Sequence, residues 1–126
     1  MYWPHGLMAI IKRPKLSGLG EHVGVLQPDG TVFHTTHGRG PEVVSLRQFA
    51  AGKPVQVIEQ IVASAHPETL MRIQFELSRQ RPYDALTNNC EIVASRVAGK
   101  PAQSPQVRFW VTLAALAGLL GLARAA

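Results

Sequence analysis

Glu21-His22-Val23-Gly24-Val25-Leu26-Gln27-Pro28-Asp29-Gly30-Thr31-Val32-Phe33-His34-Thr35-Thr36 reads as a β-hairpin, and the rest of the chain arranges itself around it. Val23 and Val25 alternate with Gly24 and Leu26, Pro28-Asp29-Gly30 supplies turn chemistry, and Thr31 to Thr36 is β-branched and aromatic. With Pro28-Asp29-Gly30 as a three-residue loop and Gly30 as its bulge, Gln27 pairs with Thr31. That register sets Gly24 opposite His34 and His22 opposite Thr36. His22 and His34 then share one face as diagonal neighbours about 7 to 8 Å apart at the backbone, with space left by the missing side chain of Gly24. His37 has the opposite parity and points away if the strand lasts that far. A two-residue turn would instead shift the register by one and separate the two histidines. His5 and His66 have no comparable context and read as structural.

Outward from the hairpin, Leu7 to Ile11 reads as a preceding strand, with further strands at Glu42 to Leu46 and Val55 to Ile61 broken by Gly52-Lys53-Pro54. Then the period changes. Pro67 suits the first turn of a helix in which Leu70, Ile73 and Leu77 line one face, Glu68 pairs with Arg72 on the surface, and Pro82 ends the element. After Asn88-Asn89, the residues Cys90, Val93, Ala94 and Val97 fall at helical spacing, and Gly99 followed by Pro101 gives a stop signal. Strands first and helices afterwards make the fold class α+β, an antiparallel sheet with packed helices.

Cys90 is the chain's single cysteine, and it begins that second helix. Asn residues cap helices, and a helix start offers free N–H groups and a positive dipole end; both lower a thiol pKa and can hold an oxyanion. An activated thiolate with His22 and His34 as partners is the expected site. Cys90, His22 and His34 are also enough ligands for zinc. No paired Cys-x-x-Cys or His-x-x-x-His motif accompanies them, so the reading takes neither metal nor cofactor.

The chain has 126 residues, 46% of them hydrophobic, which suits one domain with its own core. Its formal net charge of +5 comes from scattered Lys and Arg, with only Lys12, Arg13 and Lys15 close together. That pattern argues against a specific nucleic-acid partner and for weak attraction to anionic phosphate surfaces, lipid headgroups included. A lone cysteine makes no internal disulfide, which favours a reducing compartment. The apolar stretch from Leu7 to Ile11 between Pro4 and Pro14 is too short for a secretory signal.

The C-terminus differs in kind. Residues 1–106 read as the catalytic domain and 107–126 as a hydrophobic C-terminal helix and candidate membrane anchor. Phe109 to Ala123 carries no charge between Arg108 and Arg124, and as a helix it would be about 22 Å long against a hydrocarbon core of about 30 Å. Insertion would need local thinning, snorkelling of the two arginines, or use of the last residues to Ala126. A helix buried in the domain is the competing reading.

Glu21-His22-Val23-Gly24-Val25, then Asp29-Gly30, then His34 twelve residues after His22, then Asn89-Cys90-Glu91 and finally Ser104-Pro105-Gln106-Val107 before an apolar tail resemble the lecithin:retinol acyltransferase-like branch of the NlpC/P60 superfamily. The His-to-His interval and Asn-Cys-Glu are the specific elements. The resemblance implies a circularly permuted papain-like fold in which Cys90 is the nucleophile, His22 the general base and His34 the group that orients His22. Family members typically continue with His-Phe where this chain has Ile92-Val93, and the chain is short between hairpin and cysteine. The function so implied is a thiol-dependent acyltransferase or hydrolase working through a Cys90 thioester on lipid esters, anchored by its tail at the cytoplasmic face of a membrane. The PPPDE peptidases, a related permuted papain-like group with an Asn-Cys motif, supply the alternative of a cysteine peptidase or amidase on cell-wall peptides or protein conjugates. A second alternative is a non-catalytic membrane-bound interaction domain with a buried cysteine.

Overall fold

The computed structural model describes residues 5–16, 19–84 and 88–100. Its strands are β1 (Ala9–Pro14), β2 (Glu21–Leu26), β3 (Thr31–Thr36), β4 (Gly40–Ser45) and, after a short helix α1 (Leu46–Ala50), β5 (Gln56–Gln60). A 3-10 turn at Ala63–Ala65 leads into α2 (His66–Arg79), and α3 (Cys90–Val97) follows. The strands form one antiparallel sheet in the order β4-β3-β2-β1-β5, so the class is α+β.

The central hairpin has the three-residue register. The Gln27 N–H donates to the Thr31 carbonyl at 2.8 Å, Gly30 sits at φ +89°, and Val25 and Leu26 pair with Phe33 and Val32. Beyond Val25 the β2–β3 ladder stops, although β2 stays paired with β1 along its length and β3 with β4 along its own. The sheet therefore forks at its centre, and the open end carries His22 and His34. This fork is where the start of α3 docks: the Val23 N–H, freed from the ladder, is hydrogen-bonded to the Cys90 sulfur.

Each face of the sheet has its own core. Met8, Ile10, Val23, Val25 and Phe33 pack with Ile73 of α2 and with Cys90, Val93 and Val97 of α3. On the opposite face Ala9, Ile11, Leu26 and Val32 pack around Phe49 of α1, which is completely buried. Burial of these side chains is the main favourable term, roughly 1.5 to 3 kcal/mol for each large one.

Several boundaries differ from the sequence reading. The first strand begins at Ala9 and runs on to Pro14. β4 ends at Ser45, because Ser45 and Gln48 form a reciprocal capping box that starts α1. The Ser-x-x-Gln signal for that helix stands in the sequence and was obscured by the apolar residues on both sides of it. β5 lies against β1 at the far edge. In α2 the buried positions are Thr69, Ile73 and Glu76, whereas Leu70 is partly exposed. The turn of that face has an electrostatic cause. Glu76, 2% exposed, accepts from Arg96 Nη1 of α3 at 2.8 Å, and this contact orients α2.

The apolar segment 107–126 lies outside the described residues. Among the described residues no helix is long and apolar enough to cross a membrane.

Candidate active site

Asn89 caps α3: its backbone is extended and its side chain accepts the Ile92 N–H at 2.9 Å. Cys90 is thereby fixed in the first turn. Asn88 does a different job, donating to the Pro82 carbonyl at 2.8 Å and accepting from Arg96 Nη2 at 3.2 Å. The segment that carries Tyr83 is thus tied to α3 and, through Arg96, to Glu76.

Cys90 and His22 line one open cavity of about 520 Å³. Arg13 and Lys15 enter it from β1 and the residue after it, Thr35 and His37 from the end of β3, and Tyr83 from the segment before α3. His34 stands behind His22, with the His22 Nε2 to His34 Nδ1 distance at 2.8 Å across the fork. His34 Nε2 in turn lies 3.0 Å from Glu42 Oε1. The expected space at Gly24 is filled. The Phe49 ring stacks on His22 at 5.3 Å and meets His34 edge-on at 5.7 Å, and a Cβ at Gly24 would fall 2.8 Å from Phe49 Cε2.

The chain of nitrogens has one consistent proton arrangement. A carboxylate only accepts, so His34 Nε2 carries its proton toward Glu42. Neutral His34 then has a bare Nδ1, which accepts from His22 Nε2–H. His22 is left with a bare Nδ1, the atom that can take a proton from the cavity. Both rings are neutral near pH 7. Burial first, then His34, Arg13 and Lys15, push His22 down to about 3, and burial holds His34 below its usual range against the opposing pull of Glu42.

The thiol behaves differently from the expectation of an activated thiolate. Burial pushes Cys90 up, outweighing the N–H groups of Val23 and Glu91 and the charge of Lys15, which favour the thiolate. Desolvation of Cys90, a residue only 4% exposed, is the larger effect. The resting pair is a neutral thiol and a neutral imidazole.

Three residues were not among the sequence candidates. Glu42 reaches His34 because β4 pairs with β3 in the register His34↔Glu42. Arg13 stands opposite His22 in the β1–β2 ladder and donates through Nε to the Phe49 carbonyl. His37, expected to point away only if the strand reached it, lines the cavity: β3 ends at Thr36 and the following turn brings its ring against Tyr83 at 5.5 Å. His66 is structural, its Nε2 bonded to the Ile61 carbonyl. Among the described residues no group of three or more His, Cys, Asp or Glu is arranged to hold a metal ion.

Comparison of the chain with protein families, with curated proteins and with solved structures finds no match. The functional reading therefore stands on this cavity and on the motifs that build it.

Proposed function

We propose that this chain is a thiol-dependent acyl-transfer enzyme of the permuted papain-like type, similar to the lecithin:retinol acyltransferase-like branch. The observation that carries the reading is the shared cavity of Cys90 and His22, with His22 backed by His34 and Glu42. A nucleophile, a base with its free nitrogen defined, and a group orienting that base are what covalent acyl transfer needs.

In the proposed reaction the Cys90 thiol proton passes to His22 Nδ1 as the sulfur attacks an ester or amide carbonyl. Because the resting pair is neutral, proton transfer accompanies the attack. The tetrahedral oxyanion is held at the start of α3, where the Cys90 N–H belongs to the first, unpaired turn. His22 returns the proton to the leaving alcohol or amine, and a thioester remains on Cys90. Water then gives hydrolysis; an alcohol or amine gives transfer. His34 and Glu42 keep His22 in its tautomer and spread the positive charge it gains.

A lipid ester is the first choice of acyl donor, on the strength of the basic chain and the proposed membrane-seeking tail at 107–126. The lining of the cavity favours the second reading, a peptidase or amidase, because Leu16 is its only aliphatic contributor among the described residues. Both readings share one test. Full-length protein is incubated with p-nitrophenyl esters, phospholipid vesicles and peptide amides, and the intact mass is followed. A mass increase equal to the acyl group, absent in Cys90→Ala, is expected, with turnover in that variant down by at least about 10³-fold. Wild-type rates in Cys90→Ala would overturn the enzyme reading.

A further inference from the structure

The cavity that holds Cys90 is cationic, and among the described residues its principal cation is buried without a counter-charge. Arg13 is 8% exposed. Its Nε and Nη1 donate to the carbonyls of Phe49 and Pro14, both neutral acceptors, and among the described residues no carboxylate pairs with it. Lys15 lines the same cavity and has no ion pair among the described residues, whereas Lys12, on the opposite parity of β1, is matched by Glu21 at 3.9 Å. No Asp or Glu is among the lining residues described. Its guanidinium also lies over the Phe49 ring, 5.5 Å from the centroid. Carbonyls and a neutral ring still leave most of the charge of a desolvated guanidinium uncompensated, and such a charge is costly unless something neutralises it.

A second observation lies on the other side of the cavity. Thr35, 1% exposed, lines it and has a buried hydroxyl with no hydrogen-bond partner among the described residues. Buried hydroxyls are nearly always satisfied, so an orphan in a cavity wall marks a group ready to bond a ligand held there. A hydroxyl donor, the remaining guanidinium Nη2 and an ammonium together describe a receptor for an oxyanion.

We propose that Arg13, Lys15 and Thr35 form a subsite for an anionic group, a phosphate or a carboxylate, carried by the substrate close to the carbonyl that Cys90 attacks. The word substrate rests on the acyl-transfer reading above; the anion subsite itself does not. The acyl donor is then an ester or amide with a phosphoryl or carboxyl group within a few bonds of the scissile one. Arg13 fixes that group, and Leu16 at the mouth receives the first apolar part of the molecule.

The test compares two alkylating reagents of nearly equal size on the full chain, anionic iodoacetate and neutral iodoacetamide. In both reactions the Cys90 thiolate displaces iodide and forms a carbon–sulfur bond, so the fraction of thiolate cancels in the ratio of rates. Relative to the same ratio for a free thiol such as glutathione, iodoacetate is expected to be favoured by about 10-fold or more. Arg13→Gln should return the ratio to near the free-thiol value and Lys15→Gln part of the way. Lys53→Gln removes an equal charge elsewhere and should leave it unchanged. Arg13→Lys, which keeps the charge, is the second variant should Arg13→Gln fold poorly, and it should retain part of the preference. Whichever of inorganic phosphate and acetate, at equal ionic strength, slows iodoacetate more identifies the group. A wild-type ratio equal to that of the free thiol, a ratio indifferent to Arg13, or a Cys90 inert to both reagents overturns the subsite. An anion preference at Cys90 in a protein that forms no thioester would keep the subsite and overturn the enzyme reading instead.

Discussion

At the scale of single residues, the site depends on which nitrogen of His22 is bare, and that is decided two hydrogen bonds away at Glu42. Glu42→Gln still offers an oxygen to His34 Nε2–H, so the tautomers survive and the proposed activity should fall by less than about 10-fold. Glu42→Lys offers only donors. It forces the proton of His34 onto Nδ1, makes His22 accept at Nε2, and puts the remaining His22 proton on Nδ1, where the base should be. Activity should then drop toward the level of His22→Ala, about 10² to 10⁴-fold down. Imidazole nitrogen chemical shifts would register the tautomer exchange directly, and unchanged shifts in Glu42→Lys would contradict the relay.

The same burial predicts a pH profile. In the unfolded chain His22 takes up its proton near its ordinary 6.5, whereas in the fold it does so only at about 3. Between these values the unfolded state binds more protons, so stability must fall as the pH is lowered through this window. The loss at the acid end is on the order of 3 to 5 kcal/mol, and His22→Asn should flatten it. Denaturant midpoints measured between pH 7 and pH 4 would check the slope. Cys90 acts in the opposite range: its thiol is raised in the fold, so stability also declines on the alkaline side.

At the scale of elements, the decisive feature is the fork between β2 and β3. Gly24 sits at its base, against Phe49 on one side and the Phe33 carbonyl, 3.0 Å from where a Cβ would stand, on the other. Gly24→Ala should therefore cost about 1 to 3 kcal/mol and loosen the Phe49 stack on His22. A thermal melt with no loss would mean that the ring has room to move. Asn89→Ala removes the cap of α3 and should cost about 1 kcal/mol. The larger effect of that variant should be on the rate of Cys90 modification, because the cap sets where the sulfur stands.

Much of this was legible in the sequence. Pro28-Asp29-Gly30 determined the hairpin register and Asn89 the start of α3, so Cys90, His22 and His34 could be singled out from turn and cap chemistry alone. Glu42 and Arg13 could not. Each faces the site only through a strand pairing set by a further loop, 37–39 for Glu42 and the β1–β2 connection for Arg13, and neither loop carries a turn signal that fixes its register. The rise in the Cys90 pKa was hidden for another reason. The dipole and N–H groups of a helix start are local and readable, whereas the desolvation that outweighs them comes from burial in the core between the sheet and the helices, which only the tertiary fold assembles.

At the scale of the whole molecule, the described members of the two cores on either face of the sheet lie between Leu7 and Ala98. The last described residues are anchored to them. Lys100 pairs with Glu59 of the edge strand at 2.6 Å, and the left-handed turn at Gly99 lies against Arg72 of α2. The proposed role of the segment 107–126 is attachment. Phe109 to Ala123 is uncharged and rich in Leu and Ala, follows the Pro101 to Pro105 linker, and has an arginine at each end. Partitioning of such a segment into lipid is favourable but limited by its length, about 22 Å against about 30 Å of hydrocarbon. A chain truncated after residue 107 should melt within a few degrees of the full-length protein and react with iodoacetamide at the same rate. It should lose co-sedimentation with vesicles and with it any activity on lipid esters, while keeping activity on a soluble ester. If full-length and truncated proteins stay equally in the supernatant, the segment is no anchor. If the truncated chain unfolds, the segment belongs to the core, and the polar cavity with its cationic wall becomes the sole guide to the substrate.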